Sequence, residues 1–262
     1  MSLLRQLIAP RLERKVNFLI CGTQRVGTTA LFQILQGHPE ICWPSDNKKE
    51  LHFFDSEKEF CHKTPRYWKY HAHFDPQPAH KLLGEATPIY MYWYDAPRRI
   101  WQYHPEIKLI IILRNPVDRA YSHWNLTRHR APDVTFWDAI RHERERCRIA
   151  LPLQHRYFSY VDRGFYAQQL RRIWTFFDDK QTLVVRNEDL RSAPHELVGK
   201  ICLFLGVKPY PEATPPAERK LRYPYPGPIG EREKDYLKRI YEYEIRSLER
   251  MLGWDCSGWL ES

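Results

Sequence analysis

Two stretches of the 262-residue chain bring glycines, hydroxyls and arginines together at spacings suited to phosphate groups. In the first, the apolar run from Val16 to Cys21 leads into Gly22-Thr23-Gln24-Arg25-Val26-Gly27-Thr28-Thr29, followed by the helical pattern Ala30-Leu31-Phe32-Gln33-Ile34-Leu35. A strand, a glycine-bounded loop and a helix aim backbone N–H groups and the positive end of the helix dipole at an anion. The spacing from Gly22 to Gly27 is that of the nucleoside-triphosphate loop G-x-x-x-x-G-K-[ST], but Thr28 stands where that loop carries lysine. The loop's cation is instead Arg25. This argues against an ordinary ATPase or kinase and fits a smaller anionic group at the 5′ end of a nucleotide. The plain alternative is a tight turn that happens to hold two glycines.

In the second stretch, the apolar run 108–113 ends in Arg114-Asn115-Pro116-Val117-Asp118-Arg119-Ala120-Tyr121-Ser122. Pro116 suits a first helical turn, where its missing N–H costs nothing. Arg114 then falls at the carboxyl edge of a sheet, where open α/β folds bind ligands. Ser122 lies two turns into the helix with Arg119 three residues earlier on the same face, and an arginine with a serine hydroxyl makes a natural anchor for a second phosphate. Read blandly, they are an arginine at a strand end and a surface serine.

The elements that must carry these residues alternate between strand-length apolar runs, 16–21, 81–85, 108–113 and 182–186, and helical patterns near 28–37, 95–103, 117–129, 134–147, 164–177, 193–205 and 231–252. Near-continuous apolar strands belong to parallel sheets covered on both faces. The expected fold is a single α/β domain over residues 16–262, a central parallel sheet flanked by helices, after an N-terminal extension 1–15. The Pro-rich stretch 209–228 reads as a long loop before the last helix.

Composition narrows the class. With 43% apolar and 28% charged residues and only 11 glycines, the chain is globular, neither fibrous nor globally disordered. No apolar run reaches membrane-spanning length, and the first fifteen residues lack a secretory signal pattern, so the expected location is cytoplasmic. The six cysteines are scattered without a C-x-x-C pair and read as reduced thiols, with neither a zinc site nor a disulfide framework. The formal charge of +9 favours an anionic partner, but the arginines are dispersed, which speaks against nucleic acid.

Both anchors in one chain describe a nucleotide with two separated phosphate groups. Here the sequence resembles the sulfotransferases that use 3′-phosphoadenosine 5′-phosphosulfate (PAPS). Gly22–Thr29 is similar to their 5′-phosphosulfate loop, and Arg114 with Ser122 to their 3′-phosphate motif R-x-P-x-x-R-x-x-S. The branch with heparan sulfate sulfotransferases and bacterial relatives resembles it most. Asn47-Lys48-Lys49-Glu50-Leu51-His52-Phe53-Phe54-Asp55, Gly84-Glu85-Ala86-Thr87-Pro88-Ile89-Tyr90, Leu183–Leu190 and Ile201–Val207 resemble that branch's segments in order, so the likeness spans about residues 16–254.

The resemblance implies sulfuryl transfer from PAPS to a hydroxyl of a carbohydrate, lipid or secondary metabolite, with 3′-phosphoadenosine 5′-phosphate (PAP) as product and no metal required. It implies that Thr23, Gln24, Arg25, Val26, Gly27, Thr28 and Thr29 hold the 5′-phosphosulfate and Arg114 and Ser122 the 3′-phosphate. Glu50 becomes the general base, Arg25 the cation at the bridging oxygen, and His52 a second candidate, on the same face as Glu50 if the segment is extended. Arg219, Lys220, Arg222 and Tyr223 stand where they could close over the 3′-phosphate or adenine. The aromatics Tyr67, Trp68, Tyr70, Tyr90, Tyr92, Trp93 and Tyr94 suit either an acceptor cleft or core packing. Two positions depart from the pattern: Arg25 where lysine is common, and Ala86 where the branch often carries lysine. The alternatives left open are a degenerate nucleotide kinase or NTPase and a non-catalytic nucleotide- or polyanion-binding module.

Overall fold

The computed structural model describes residues 14–45, 48–61, 64–211 and 223–261. Five parallel strands, β1 (Phe18–Ile20), β2 (Ile41–Cys42), β3 (Leu82–Ala86), β4 (Lys108–Leu113) and β5 (Thr182–Arg186), lie in the order β2-β3-β1-β4-β5. In β4, Leu109, Ile111 and Leu113 enter one apolar layer while Ile110 and Ile112 enter the other. Alternate residues of a strand face opposite sides, so the unbroken apolar run of β4 is what a sheet covered on both faces requires.

Helices α1 (Thr28–Leu35), α10 (Asn187–Ser192) and α11 (Pro194–Leu205) cover one face through Leu31, Leu35, Leu190, Leu197 and Ile201. The other face is larger. It carries α2 (Glu57–Phe60), α3 (Tyr67–His71), α4 (Ile89–Tyr92), α5 (Ala96–Tyr103), α6 (Pro116–Thr127), α7 (Phe136–Arg141), α9 (Tyr166–Trp174), α12 (Glu231–Leu252) and the terminal turn α13 (Gly258–Glu261), while α8 (Glu143–Ala150) follows α7 and adds no residue to this apolar layer. Helix α12 buries Leu237, Tyr241, Ile245 and Leu248, a stripe at helical spacing, and Tyr241 donates to the carbonyl of Val161 at 2.7 Å.

Two expectations need correcting. The pattern 134–147 breaks at His142 into α7 and α8, because the Glu143 carboxylate turns inward to accept the N–H groups of Tyr160, Val161 and Asp162. A fifth strand, β2, and the short helices α2, α3, α4, α10 and α13 carry too few residues to establish a period. Within the Pro-rich stretch, residues 212–222 lie outside the described residues; its end is strapped to α6, where Asn125 donates to the carbonyl of Tyr223 at 2.8 Å and Tyr121 to that of Gly227 at 2.7 Å. No helix among the described residues is long and apolar enough to cross a membrane.

Candidate active site

The loop after β1 closes on itself because its two glycines have no room for side chains. A Cβ on Gly22 would sit 2.7 Å from the carbonyl oxygen of Ile112 in the neighbouring strand. Gly27 has φ +101°, and a Cβ there would meet the Asn187 amide nitrogen at 2.5 Å. That same amide donates to the Val26 carbonyl at 2.8 Å, so α10 pins the loop from behind. Gly27 caps α1 without a side chain, and the first turn of α1 holds no acidic residue. The N–H groups and dipole of α1 therefore point at a place for an external anion.

The expected loop residues divide by direction. Thr23 and Val26 are fully buried, so their side chains back the loop and only their backbone is offered. Gln24, Arg25 and Thr29 are half-buried at the surface of the site, and Thr28 begins α1. Arg25 adopts φ +75° and donates through Nε to the Ser122 hydroxyl at 3.0 Å. Ser122, assigned from sequence to a second phosphate, thus directly holds the cation of the first. Arg114 reaches the same loop, its Nη1 3.5 Å from the Arg25 carbonyl, and pairs with Asp118 at 3.5 Å. Arg119, three residues before Ser122 on the same helix, is fully buried like Ser122 and donates to the Tyr160 carbonyl beside His123. Arg219, Lys220 and Arg222 lie outside the described residues.

Facing the loop is the segment that carries Glu50 and His52. It is not extended: Glu50 has φ +64° and His52 φ +55°, and with Arg25 these are the non-glycine residues of positive φ among the described residues. Left-handed backbone at such residues costs roughly 1–3 kcal/mol each and persists only where surroundings enforce it. The enforcement is visible. The Glu50 N–H donates to the Ala86 carbonyl at 3.0 Å, tying the segment to the end of β3. Buried Glu85 accepts from Tyr70 at 2.5 Å, from Thr87, and from Tyr90 at 3.0 Å; the Tyr90 hydroxyl in turn accepts the N–H of Phe53 at 3.0 Å. Burial pushes the Glu85 carboxyl above its ordinary range, against the hydroxyls that donate to it. The Gly84–Tyr90 segment is thus a clamp on residues 50–54, and its Ala86 side chain is buried.

The left-handed turns bring Glu50 and His52 together. His52 Nε2 lies 3.5 Å from Glu50, while Nδ1 lies 3.0 Å from buried Asp55, which is itself held by Arg156 at 2.5 Å. Burial works against the charge of His52, but Asp55 and Glu50 outweigh it and raise the imidazole to about 9. Burial likewise opposes ionisation of Glu50, yet the hydrogen bond from His52 and the charge of Lys49 bring its carboxyl down to about 2. Lys49 Nζ sits 2.9 Å from Glu50 and 3.4 Å from the Thr28 hydroxyl. On the far side, fully buried Arg163 donates to the Gln24 side chain and, at 2.6 Å, to the Arg156 carbonyl. A closed circuit results, from Gln24 through Arg163, Arg156, Asp55, His52, Glu50 and Lys49 back to Thr28.

Beside this circuit opens a cleft of about 920 Å³, lined by Gln24, Glu50, His52, Trp93, Arg156 and Tyr157 among others. Arg156 lies 4.7 Å from the Trp93 ring centroid and Arg130 4.6 Å from that of Tyr157, so its walls combine apolar faces with cations. Of the aromatics read from the sequence, Trp93 lines the cleft. Tyr70, Tyr90 and Tyr92 are core residues, Tyr67 packs against the core, and Trp68 and Tyr94 are exposed.

The family model described as "Sulfotransferase domain" matches residues 15–223. The chain belongs to the sulfotransferase family. Human heparan sulfate glucosamine 3-O-sulfotransferase 6 is 33% identical over 199 residues, 76% of this chain and 54% of that protein. Human bifunctional heparan sulfate N-deacetylase/N-sulfotransferase 2 is 31% identical over 224 residues, 80% of this chain and 24% of that protein. This sulfotransferase chain therefore spans between a quarter and about half the length of these curated relatives. Among solved structures, a sulfotransferase from Alicyclobacillus acidocaldarius superposes with a TM-score of 0.77 at 27% identity, covering 94% of this chain and 98% of that one.

Sequence reasoning missed Lys49, Asp55, Arg156 and Arg163 in this sulfotransferase. Lys49 stands in a Lys-Lys-Glu run that looks solvated, and Arg156 and Arg163 are 101 and 139 residues from the partners they hold. No spacing rule links positions so far apart; only the fold brings them together.

Proposed function

We propose that this protein transfers the sulfuryl group of PAPS to an acceptor hydroxyl, with Glu50 as general base. The observation that carries the reading is the placement of Glu50: its carboxylate lines the acceptor cleft and is linked through one ammonium to the first residue of α1, where the loop offers an anion site. The donor's 5′-phosphosulfate is assigned to the backbone N–H groups of residues 25–29 with the hydroxyls of Thr28 and Thr29, and its 3′-phosphate to Arg114. Ser122 serves by fixing Arg25. An open helix N-terminus flanked by Arg25, Arg114 and Lys49 has the sign of charge that such a polyanionic nucleotide requires.

In the proposed step the acceptor oxygen forms the new O–S bond as the bond from sulfur to the 5′-phosphate oxygen breaks. The electron pair of the broken bond stays on that phosphate, giving PAP, and the acceptor's proton passes to Glu50. Arg25 offsets charge on the departing oxygen. A carboxyl held near 2 is fully ionised but weakly basic. That suffices for a loose transfer, in which the attacking hydroxyl becomes acidic late. The acceptor is a carbohydrate, lipid or secondary metabolite hydroxyl, small enough in its reacting part to enter the cleft. The six cysteines, all free, suit the reducing cytoplasm.

Calorimetry with PAP, ATP and AMP, with and without magnesium, tests the donor. Tight magnesium-independent PAP binding is expected, and a magnesium-dependent preference for ATP would instead mark a kinase or NTPase. Arg114→Ala should weaken PAP by about 2–5 kcal/mol, as for truncating a desolvated charge pair. Adenosine 5′-phosphosulfate, which lacks the 3′-phosphate, should bind both proteins alike; equal weakening of both ligands would remove Arg114 from the 3′ site.

A further inference from the structure

Apolar side chains on a protein surface are normally scattered singly, and one stretch of this molecule departs from that. Of the eleven large apolar side chains exposed among the described residues, four fall within nine positions: Ile149 (70% exposed), Leu151 (68%), Leu153 (43%) and Tyr157 (47%). Exposed Tyr94 joins them, because the Gln154 side chain accepts from the Tyr94 N–H and donates to the Tyr92 carbonyl at 2.5 Å. Leu153 and Tyr157 also line the cleft, so the stretch forms an apolar lip on its rim. The lip is anchored. The Leu153 N–H donates to the Ala150 carbonyl at 3.1 Å, and His155 accepts the N–H of Phe158 at 3.0 Å. Arg156, next to Tyr157, pairs with Asp55 at 2.5 Å and accepts from Arg163 at 2.6 Å, which fixes the lip relative to Glu50.

The flank of the lip is basic. Residues 128–157 hold seven arginines against four acidic residues. Of the four, Glu143 is buried on backbone N–H groups and Glu145 is engaged by Arg148 at 2.6 Å. Arg144 is exposed on α8, and exposed Arg130 lies 4.6 Å from the Tyr157 ring centroid. We propose that residues 149–157 seat this protein on an anionic lipid surface, with Ile149 and Leu151 at the headgroup boundary and the arginines against lipid phosphates. Aliphatic tips, a tyrosine and arginines on one surface are the composition of a segment that lies in a bilayer interface. The mouth of the cleft then faces the bilayer. A second copy of the chain fits the lip less well, because a two-fold contact would set the same arginines against one another. A soluble polyanion would meet the arginines but leave Ile149 and Leu151 in water.

The test is flotation of the full chain with vesicles of phosphatidylcholine and phosphatidylglycerol, and with vesicles of phosphatidylcholine alone. Binding to the mixed vesicles is expected, falling with added salt and at least about tenfold weaker on the neutral ones. Ile149→Glu combined with Leu151→Glu should weaken binding to the mixed vesicles by at least about tenfold, since two apolar side chains leave the interface. Both positions are exposed, so melting and PAP affinity should match wild type. Amide hydrogen exchange of the wild type should slow within 149–157 when mixed vesicles are added. No flotation of the wild type, or slowed exchange confined to another surface, overturns the proposal. So does equal flotation of the double variant, which would leave an electrostatic patch for any polyanion. Self-association through the lip in place of lipid binding, seen by sedimentation velocity and abolished in the double variant, overturns it as well. The docking does not depend on the donor assignment: protein that floats but fails to bind PAP would sink that assignment alone.

Discussion

The loop proposed to hold the donor takes most of its shape from its own neighbours: β1 feeds Gly22, Gly27 permits the left-handed turn and α1 begins one residue later, with Asn187 and Ser122 the remote side chains that pin it. The wall that carries Glu50 has no such local origin. Its left-handed residues are held by Ala86, Glu85 and Tyr90 from one side and by Asp55, Arg156 and Arg163 from the other. Backbone groups at a helix end bind a phosphate whatever the remote sequence is, so a short motif suffices. A carboxylate that must meet an acceptor in one orientation needs side chains fixed from several directions. The two walls should therefore fail differently when altered.

The strongest separation is expected at Glu50. Glu50→Gln keeps shape and hydrogen bonding but cannot take the acceptor's proton, so kcat should fall by about 10²–10⁴. PAP affinity and the KM for PAPS should stay near those of wild type. Steady-state kinetics with calorimetry would show whether the two walls are independent in this sense; retention of near-full kcat would promote His52 to the role of base.

A smaller effect is expected from the clamp. Tyr90→Phe removes one donor from buried Glu85 and the acceptor of the Phe53 N–H. Leaving such groups unpaired costs about 1–3 kcal/mol, which for a chain of this size lowers the melting temperature by roughly 2–4 °C per kcal/mol. Turnover should fall with it, since residues 50–54 lose part of their hold, but PAP binding should persist in the folded protein. Equal losses of PAP affinity and turnover would mean that the walls are one unit.

The mildest test is a titration. His52 should lose its proton near pH 9 by NMR, well above the ordinary imidazole range. Because its folded-state value is raised, its pairing with Asp55 and Glu50 contributes stability that is whole below about 6.5 and disappears as the pH climbs through about 9. Asp55→Asn removes a negative partner and should move the midpoint down; an unmoved midpoint would break the circuit drawn from Arg156 to Glu50.

Much of this protein follows from the order of its residues alone. Apolar runs such as Lys108–Leu113 read as strands buried on both faces, and the stripe of α12 reads as a covering helix, because run length and periodicity are local properties of the chain. The loop from Gly22 to Thr29 belongs to the same class: its glycines, its arginine and the helix that follows act within a dozen residues. Tertiary structure alone decided that Ser122 would hold Arg25, that Arg119 would be buried, that Glu50 and His52 would meet through two left-handed turns, and that Lys49 would reach Thr28. Each of these depends on which segments the sheet order brings side by side. Pairing across tens of residues leaves no periodic trace, because its energy comes from burial and hydrogen bonds that exist only once the chain has folded.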